Sequence, residues 1–98
     1  MDSDLPDFEG FEWDKGNRDK NRIKHNVTEN ECEEVFFNAP LLIGDDAKHS
    51  SLERRFVAFG TTSAGRLLTV IFTKRKKLIR VISARDMHKK EKEFYKKL

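Results

Sequence analysis

Arg66 to Thr73 and Leu78 to Ser83 are two apolar, β-branched runs held apart by four consecutive cations, Lys74 to Lys77. Each run reads as a strand, and a charged turn between them reads as an antiparallel hairpin. Upstream, Arg55 to Phe59 alternates: Arg55, Val57 and Phe59 share one face, Phe56 and Ala58 the other. Gly60 to Gly65 supplies the loop that joins this third strand to Arg66. Leu41 to Ile43 adds a brief fourth strand. Short connections between consecutive strands give a meander, which needs helices over one face to close a core.

The clearest helix start is Thr28-Glu29-Asn30-Glu31, a capping box in which the Thr oxygen takes a late amide and Glu31 reaches back. Cys32, Val35 and Phe36 follow as one apolar face. Asn38-Ala39-Pro40 ends that helix, because proline disfavours a helical residue before it. Asp14 is read as the cap of an earlier surface helix from Lys15 to about Lys24, stopping at His25-Asn26. Asp86 is read as the cap of a last helix from about Met87, with Met87, Phe94, Tyr95 and Leu98 apolar and the rest basic. Phe8 to Trp13 is a short edge strand. The expected order is β-α-α-β-β-β-β-α, an α+β domain with an antiparallel sheet and helices packed on one face. Residues 1–98 make a single domain, with 1–7 a flexible leader.

Charge is distributed unevenly. Residues 1–49 carry 6 Lys/Arg against 13 Asp/Glu, a net −7, whereas residues 50–98 carry 14 against 4, a net +10. Such asymmetry points either to a polyanionic partner for the basic half or to two halves that attract each other within the fold. The single cysteine, Cys32, excludes an internal disulfide and sits on the apolar helix face, as core cysteines do. The acidic start and the lack of an apolar run near the ~20 residues of a bilayer span lead to the expectation of a cytoplasmic protein with no membrane association.

Few residues offer chemistry by spacing alone. His25, His49 and His88 are far apart, and Asp45-Asp46 flank a turn, so neither a metal site nor a cofactor is expected. The arginines are more telling. Arg80 lies inside an apolar strand, where an unpaired guanidinium is costly to bury, so it must face solvent, a carboxylate or a ligand. Arg66 opens one strand, Arg55 another, and Arg85 closes the last. Guanidiniums converging on a phosphate would donate paired hydrogen bonds and stabilise charge as a ribose 2′-hydroxyl attacks phosphorus. Ordinary ion pairs, Arg55 with Glu53 and Arg80 with an acid of the N-terminal half, explain the same residues. Strict alternation places Arg85 on the face opposite Arg80, so a shared site requires a bulge or an early helical turn near Ala84. Lys74 and Arg75 in the charged turn, and Lys89 in the last helix, read either as solvated surface or as added phosphate affinity.

Several segments, in their order and spacing, resemble the BrnT family of type II toxins. They are Phe11-Glu12-Trp13-Asp14, Asn21 to Val27, Glu34-Val35-Phe36-Phe37, His49 to Gly60, Gly65 to Val70, and above all Ile79-Arg80-Val81-Ile82-Ser83-Ala84-Arg85. Asn26 stands where the family has Gly, Arg54 where it tends to have an acid, and the C-terminal helix is Lys-rich where the family is Arg-rich. The resemblance implies a RelE-like fold and a metal-independent endoribonuclease that cleaves RNA and stops translation. It also implies a BrnA-type antitoxin with a DNA-binding ribbon-helix-helix, through which alone operator DNA is reached. It assigns catalytic positions to Arg66, Arg80 and Arg85 with His49, and RNA contacts to Lys24, His25 and Arg55. A RelE-like module that binds RNA or antitoxin without cutting, and serves as a co-repressor, is the alternative.

Overall fold

The computed structural model describes residues 7–14, 25–46 and 53–98. Five strands form one sheet in the order β1-β5-β4-β3-β2: β1 (Gly10–Glu12), β2 (Leu42–Asp45), β3 (Phe56–Thr61), β4 (Leu67–Arg75) and β5 (Leu78–Asp86). Among the described residues, two helices accompany them, α1 (Glu29–Val35) and α2 (Lys89–Tyr95). The chain is thus a small α+β fold. The helix expected over Lys15 to Lys24 lies outside the described residues, as does much of the expected leader.

The meander β2-β3-β4-β5 is antiparallel throughout, but β1 joins β5 in parallel, Gly10 opposite Leu78 and Glu12 opposite Arg80. The sheet is therefore mixed, not antiparallel as expected: the neighbour of β1 is the last strand, which the chain reaches only after β2, β3 and β4. The turn between β4 and β5 is also tighter than expected. Strand pairing extends to Arg75 opposite Leu78, which leaves Lys76 and Lys77 at φ 50° and 67°. Two left-handed residues give a twist that matches the flanking strands.

Alternation splits the sheet into two faces. Leu68, Val70 and Phe72 of β4 sit beside Ala58 of β3 and Ile79, Val81 and Ala84 of β5, and all are fully buried. Helix α1 covers this face with Cys32, Val35 and Phe36. Its predicted capping box is present: the Glu31 amide donates to Thr28 Oγ1 at 3.1 Å, and the Thr28 amide to Glu31 Oε1 at 3.0 Å. Aromatic rings bind the layers, with Phe36 edge-on to Phe72 at 5.1 Å and Phe56 stacked on Phe72 at 5.3 Å. Gly60 is required where α1 crosses β3, because a Cβ there would lie 2.6 Å from Val35 Cγ1 and 3.2 Å from Val35 O. Trp13 Nε1 donates to Glu33 at 2.8 Å and ties β1 to α1.

Helix α2 lies against the other face, so the expectation of helices on one face is corrected. Phe94 meets Phe59, and Glu91 accepts from Thr69 Oγ1 at 3.0 Å; Phe59 and Thr69 are register partners on the face away from α1. The reason is visible in α2 itself, whose inward contacts are one carboxylate and two rings, suited to a polar sheet face. Asp86 does not cap this helix. It ends β5, and His88 occupies the cap position.

Candidate functional site

Opposite α1, the sheet carries arginines in alternate positions. The register places Arg75, Arg80 and Arg85 on this face together with Thr69, Ile71 and Thr73. Arg85 arrives there because β5 contains a bulge: Val81 pairs with Phe72 and Ser83 with Ile71, which leaves Ile82 as the extra residue. The bulge resets the alternation. Ala84 turns into the core, and Arg80, Ser83 and Arg85 share the open face.

A cleft of about 480 Å3 opens on this face, lined by Asp46, Arg55, Val57, Thr69, Ile71, Ile82, Ser83, Arg85 and Glu91. Apolar Val57, Ile71 and Ile82 contribute the walls. Two guanidiniums, two carboxylates and two hydroxyls give it polarity. Glu91 is the most constrained of these groups. It accepts from Arg85 Nη1 at 2.8 Å and Nη2 at 3.0 Å, from the His88 amide at 2.8 Å, and from Thr69. The Arg85 fork, helped by the other donors against partial burial, holds its pKa down at about 2. Glu91 thus stays charged and is a poor proton acceptor near neutrality. Its evident role is to hold Arg85 in one orientation at the cleft.

The expected site residues are dispersed. Arg55 and Arg85 line the cleft. Arg80 shares the face but reaches toward β1, donating to Asp14 at 2.6 Å with Glu12 3.8 Å away. Those acids belong to the N-terminal half, as the ion-pair reading of the sequence supposed. Glu53 pairs with Arg75 at 2.6 Å, and the Arg75 guanidinium lowers its pKa.

Arg66 lies on the α1 side, at the edge. Its Nε and Nη2 donate to Asp86 at 2.7 and 3.2 Å. Its Nη1 donates to Glu31 and to the Asn26 carbonyl, and Nη2 also reaches the His25 carbonyl at 3.3 Å. These bonds raise the Arg66 pKa and lower that of Asp86. Burial works against ionisation of Glu31, yet the Thr28 amide and Arg66 together hold its pKa below the ordinary range. Arg66 is a clasp joining α1, β4, β5 and the His25-Asn26 segment. His25 therefore meets Arg66 through its carbonyl and does not line the cleft. Lys74 pairs with Ile79, on the α1 side of the register, and Lys89 is exposed on the first turn of α2. His49 and Lys24 lie outside the described residues.

Sequence reasoning missed Asp46, Thr69, Ser83 and Glu91 as cleft residues. The His88-to-Glu91 spacing carried a capping signal for Glu91, whereas Ser83 becomes visible only once the bulge is known. Among the described residues, no group of three His, Cys, Asp or Glu side chains could hold a metal ion. Cys32 is buried, and burial pushes its thiol up to about 12, so it is no nucleophile. No helix among the described residues is long and apolar enough to cross a membrane.

Residues 13–91 match the family model described as the ribonuclease toxin, BrnT, of type II toxin-antitoxin systems. A comparison with curated protein sequences gave no match. The matched span begins just after β1 and ends at Glu91 in α2, so it contains β2 to β5 and both faces that they present.

Proposed function

Because the chain belongs to the BrnT family of ribonuclease toxins of type II toxin-antitoxin systems, we propose that the cleft opposite α1 is where it binds and cuts RNA. The observation that carries this reading is the convergence of Arg55 and Arg85 with the Ser83 and Thr69 hydroxyls in one concave site. Guanidiniums receive a phosphate through paired donors and remain charged. As the ribose 2′-hydroxyl attacks the adjacent phosphorus, negative charge grows on the non-bridging oxygens, and Arg85 and Arg55 stabilise it. The P–O5′ bond breaks, the 5′-oxygen takes a proton from solvent water, and a 2′,3′-cyclic phosphate remains. The residues assigned to these steps supply charge and proton transfer, and the reaction needs no metal ion.

The proton acceptor we assign is His49, three residues beyond Asp46 in the sequence. An imidazole titrates near neutrality, which Glu91 does not. Arg80, with Arg75 beside Glu53, extends the basic face along which the RNA strand would run. Cleavage of this kind stops translation, and the protein partner that neutralises it is an antitoxin of the BrnA type, which also supplies the only route to operator DNA. The cytoplasm is where RNA and antitoxin would both be met.

One set of observations favours a second reading. Arg75, Arg80 and Arg85 are each held by a carboxylate, as in a scaffold that binds RNA or antitoxin without cutting. Incubation of antitoxin-free protein with bulk RNA in EDTA separates the two. Cleavage by the native chain, lost on Arg85→Ala by roughly 100-fold or more, supports the cleft. Binding without cleavage, with ribosomes absent and then added, supports the non-catalytic module.

A further inference from the structure

Helix α2 carries two adjacent aromatic residues with opposite fates. Tyr95 is buried, and its hydroxyl donates to the Pro40 carbonyl. Phe94 is 53% exposed. A single exposed ring would need no explanation, but Phe94 is not isolated. Its ring stands edge-on to Phe59 at 6.4 Å, and Leu98, four residues onward and just past the helix end, is also exposed. Phe59 is the register partner of Thr69, and Thr69 and Glu91 both line the cleft. Glu91 and Phe94 lie three positions apart on α2, hence on neighbouring ground of one helix face. The apolar shelf is therefore continuous with the cleft wall.

Its electrostatic surroundings indicate what would cover it. Helix spacing puts the exposed Lys90 and Lys97 on the Phe94 side of α2, four residues before it and three after, and the exposed Lys89, Lys92 and Lys96 on the other side. Of the two acids on the same stretch, Glu91 is already engaged by Arg85. An aromatic face flanked by two lysines, beside an arginine-lined cleft, matches single-stranded nucleic acid: bases stack on rings while cations meet phosphates. A second copy of the same surface would bring like charges together, which disfavours it.

We propose that Phe94, backed by Phe59, is a stacking platform for an unpaired nucleobase next to the phosphate held in the cleft. This rests on the cleft being the RNA site, and it adds a subsite that reads the base and not the backbone. Stacking is indifferent to salt, whereas phosphate contacts release counterions. Phe94 should therefore contribute affinity without contributing to the salt slope, and the arginines should contribute to both.

The test uses the full chain and a labelled, fully 2′-O-methylated single-stranded RNA, which lacks the attacking hydroxyl. Phe94→Leu should weaken binding roughly fivefold or more and leave the slope of log affinity against log salt unchanged. Phe94→Trp should bind at least as well as the native chain. An abasic version of the probe should not distinguish Phe94→Leu from native protein. Circular dichroism confirms that both variants are folded. Native-like RNA affinity in Phe94→Leu, while Arg85→Ala binds weakly, would overturn the platform and leave the cleft standing. No RNA binding by the native chain would overturn both. A Phe94→Leu protein that loses antitoxin affinity but keeps RNA affinity would assign the shelf to the protein partner instead.

Discussion

The two faces of the sheet are built from the same strands and differ in almost every physical respect. On the α1 side, Leu68, Val70, Phe72, Ile79, Val81 and Ala84 are sealed from solvent. On the other side, residues interleaved with these include Arg75, Arg80 and Arg85, each paired to an acid, and Ser83, which with Arg85 borders a cleft. A period of two is enough to write a core and a binding surface into one strand. In β5 it is not enough by itself. From Ile79 onward, strict alternation would put Arg85 on the buried side. One extra residue at Ile82 separates the two faces correctly, so the charge layout of the open face depends on a register device within the strand.

The largest effect should follow from removing that device. Deletion of Ile82 forces half of β5 to shift by one residue, which either exposes core side chains or drives a guanidinium into the core. The expected loss is on the order of 5 kcal/mol or more, comparable with the whole stability of a small domain. Denaturant titration should show no cooperative transition, whereas Ile82→Ala should unfold cooperatively. A folded deletion variant with native RNA cleavage would mean that the bulge does not separate the faces.

On the sealed side, Phe72→Ala removes a fully buried ring packed against Phe36 and Phe56. A loss of about 3–5 kcal/mol is expected, read as a lower denaturation midpoint with an unchanged slope. A loss below about 1 kcal/mol would show that the site collapses to fill the void, and the contrast between a rigid and an adaptable face would weaken.

Much of this contrast was legible in the sequence. The meander followed from short connections, and the capping box at Thr28 is present as read. The pairing of Arg80 with acids of the N-terminal half was foreseen as one of two readings. What was not legible depends on contacts distant in sequence. Nothing local to Gly10–Glu12 indicates a parallel partner nearly seventy residues away. The side chosen by α2 depends on Glu91 finding Arg85 and Thr69, which requires the bulge to be known first. The bulge itself was named as a requirement for a shared arginine site, without a signal that it exists. Arg66, placed by resemblance among the catalytic positions, has a geometry that only the assembled fold supplies.

Arg66 tests whether the boundary between the faces is structural. Its guanidinium satisfies Asp86, Glu31 and two backbone carbonyls while only a quarter exposed. Arg66→Ala leaves those acceptors without their donor, and a loss of roughly 2–3 kcal/mol is expected. Cleavage per folded molecule should stay close to native at a temperature where the variant is folded. If stability is unchanged and cleavage disappears, Arg66 belongs with the substrate and the clasp assignment is wrong.

The smallest expected effect concerns acid. Glu91 has a pKa of about 2 in the folded chain against an ordinary 4.5, so the folded state favours its charged form. That stability is complete above pH 4.5 and is lost as pH falls from there through about 2. The expected contribution is roughly 1–3 kcal/mol, since the bonds are charge-assisted but partly open to water. Glu91→Gln should be less stable than native protein at neutral pH, and the two should converge as the solution is acidified. A constant gap down to the lowest pH would show that Glu91 acts by packing. Convergence would show that the open face is held by ionised pairs, as the Arg66 clasp is at the end of the other face, while the apolar residues packed under α1 carry no charge to titrate.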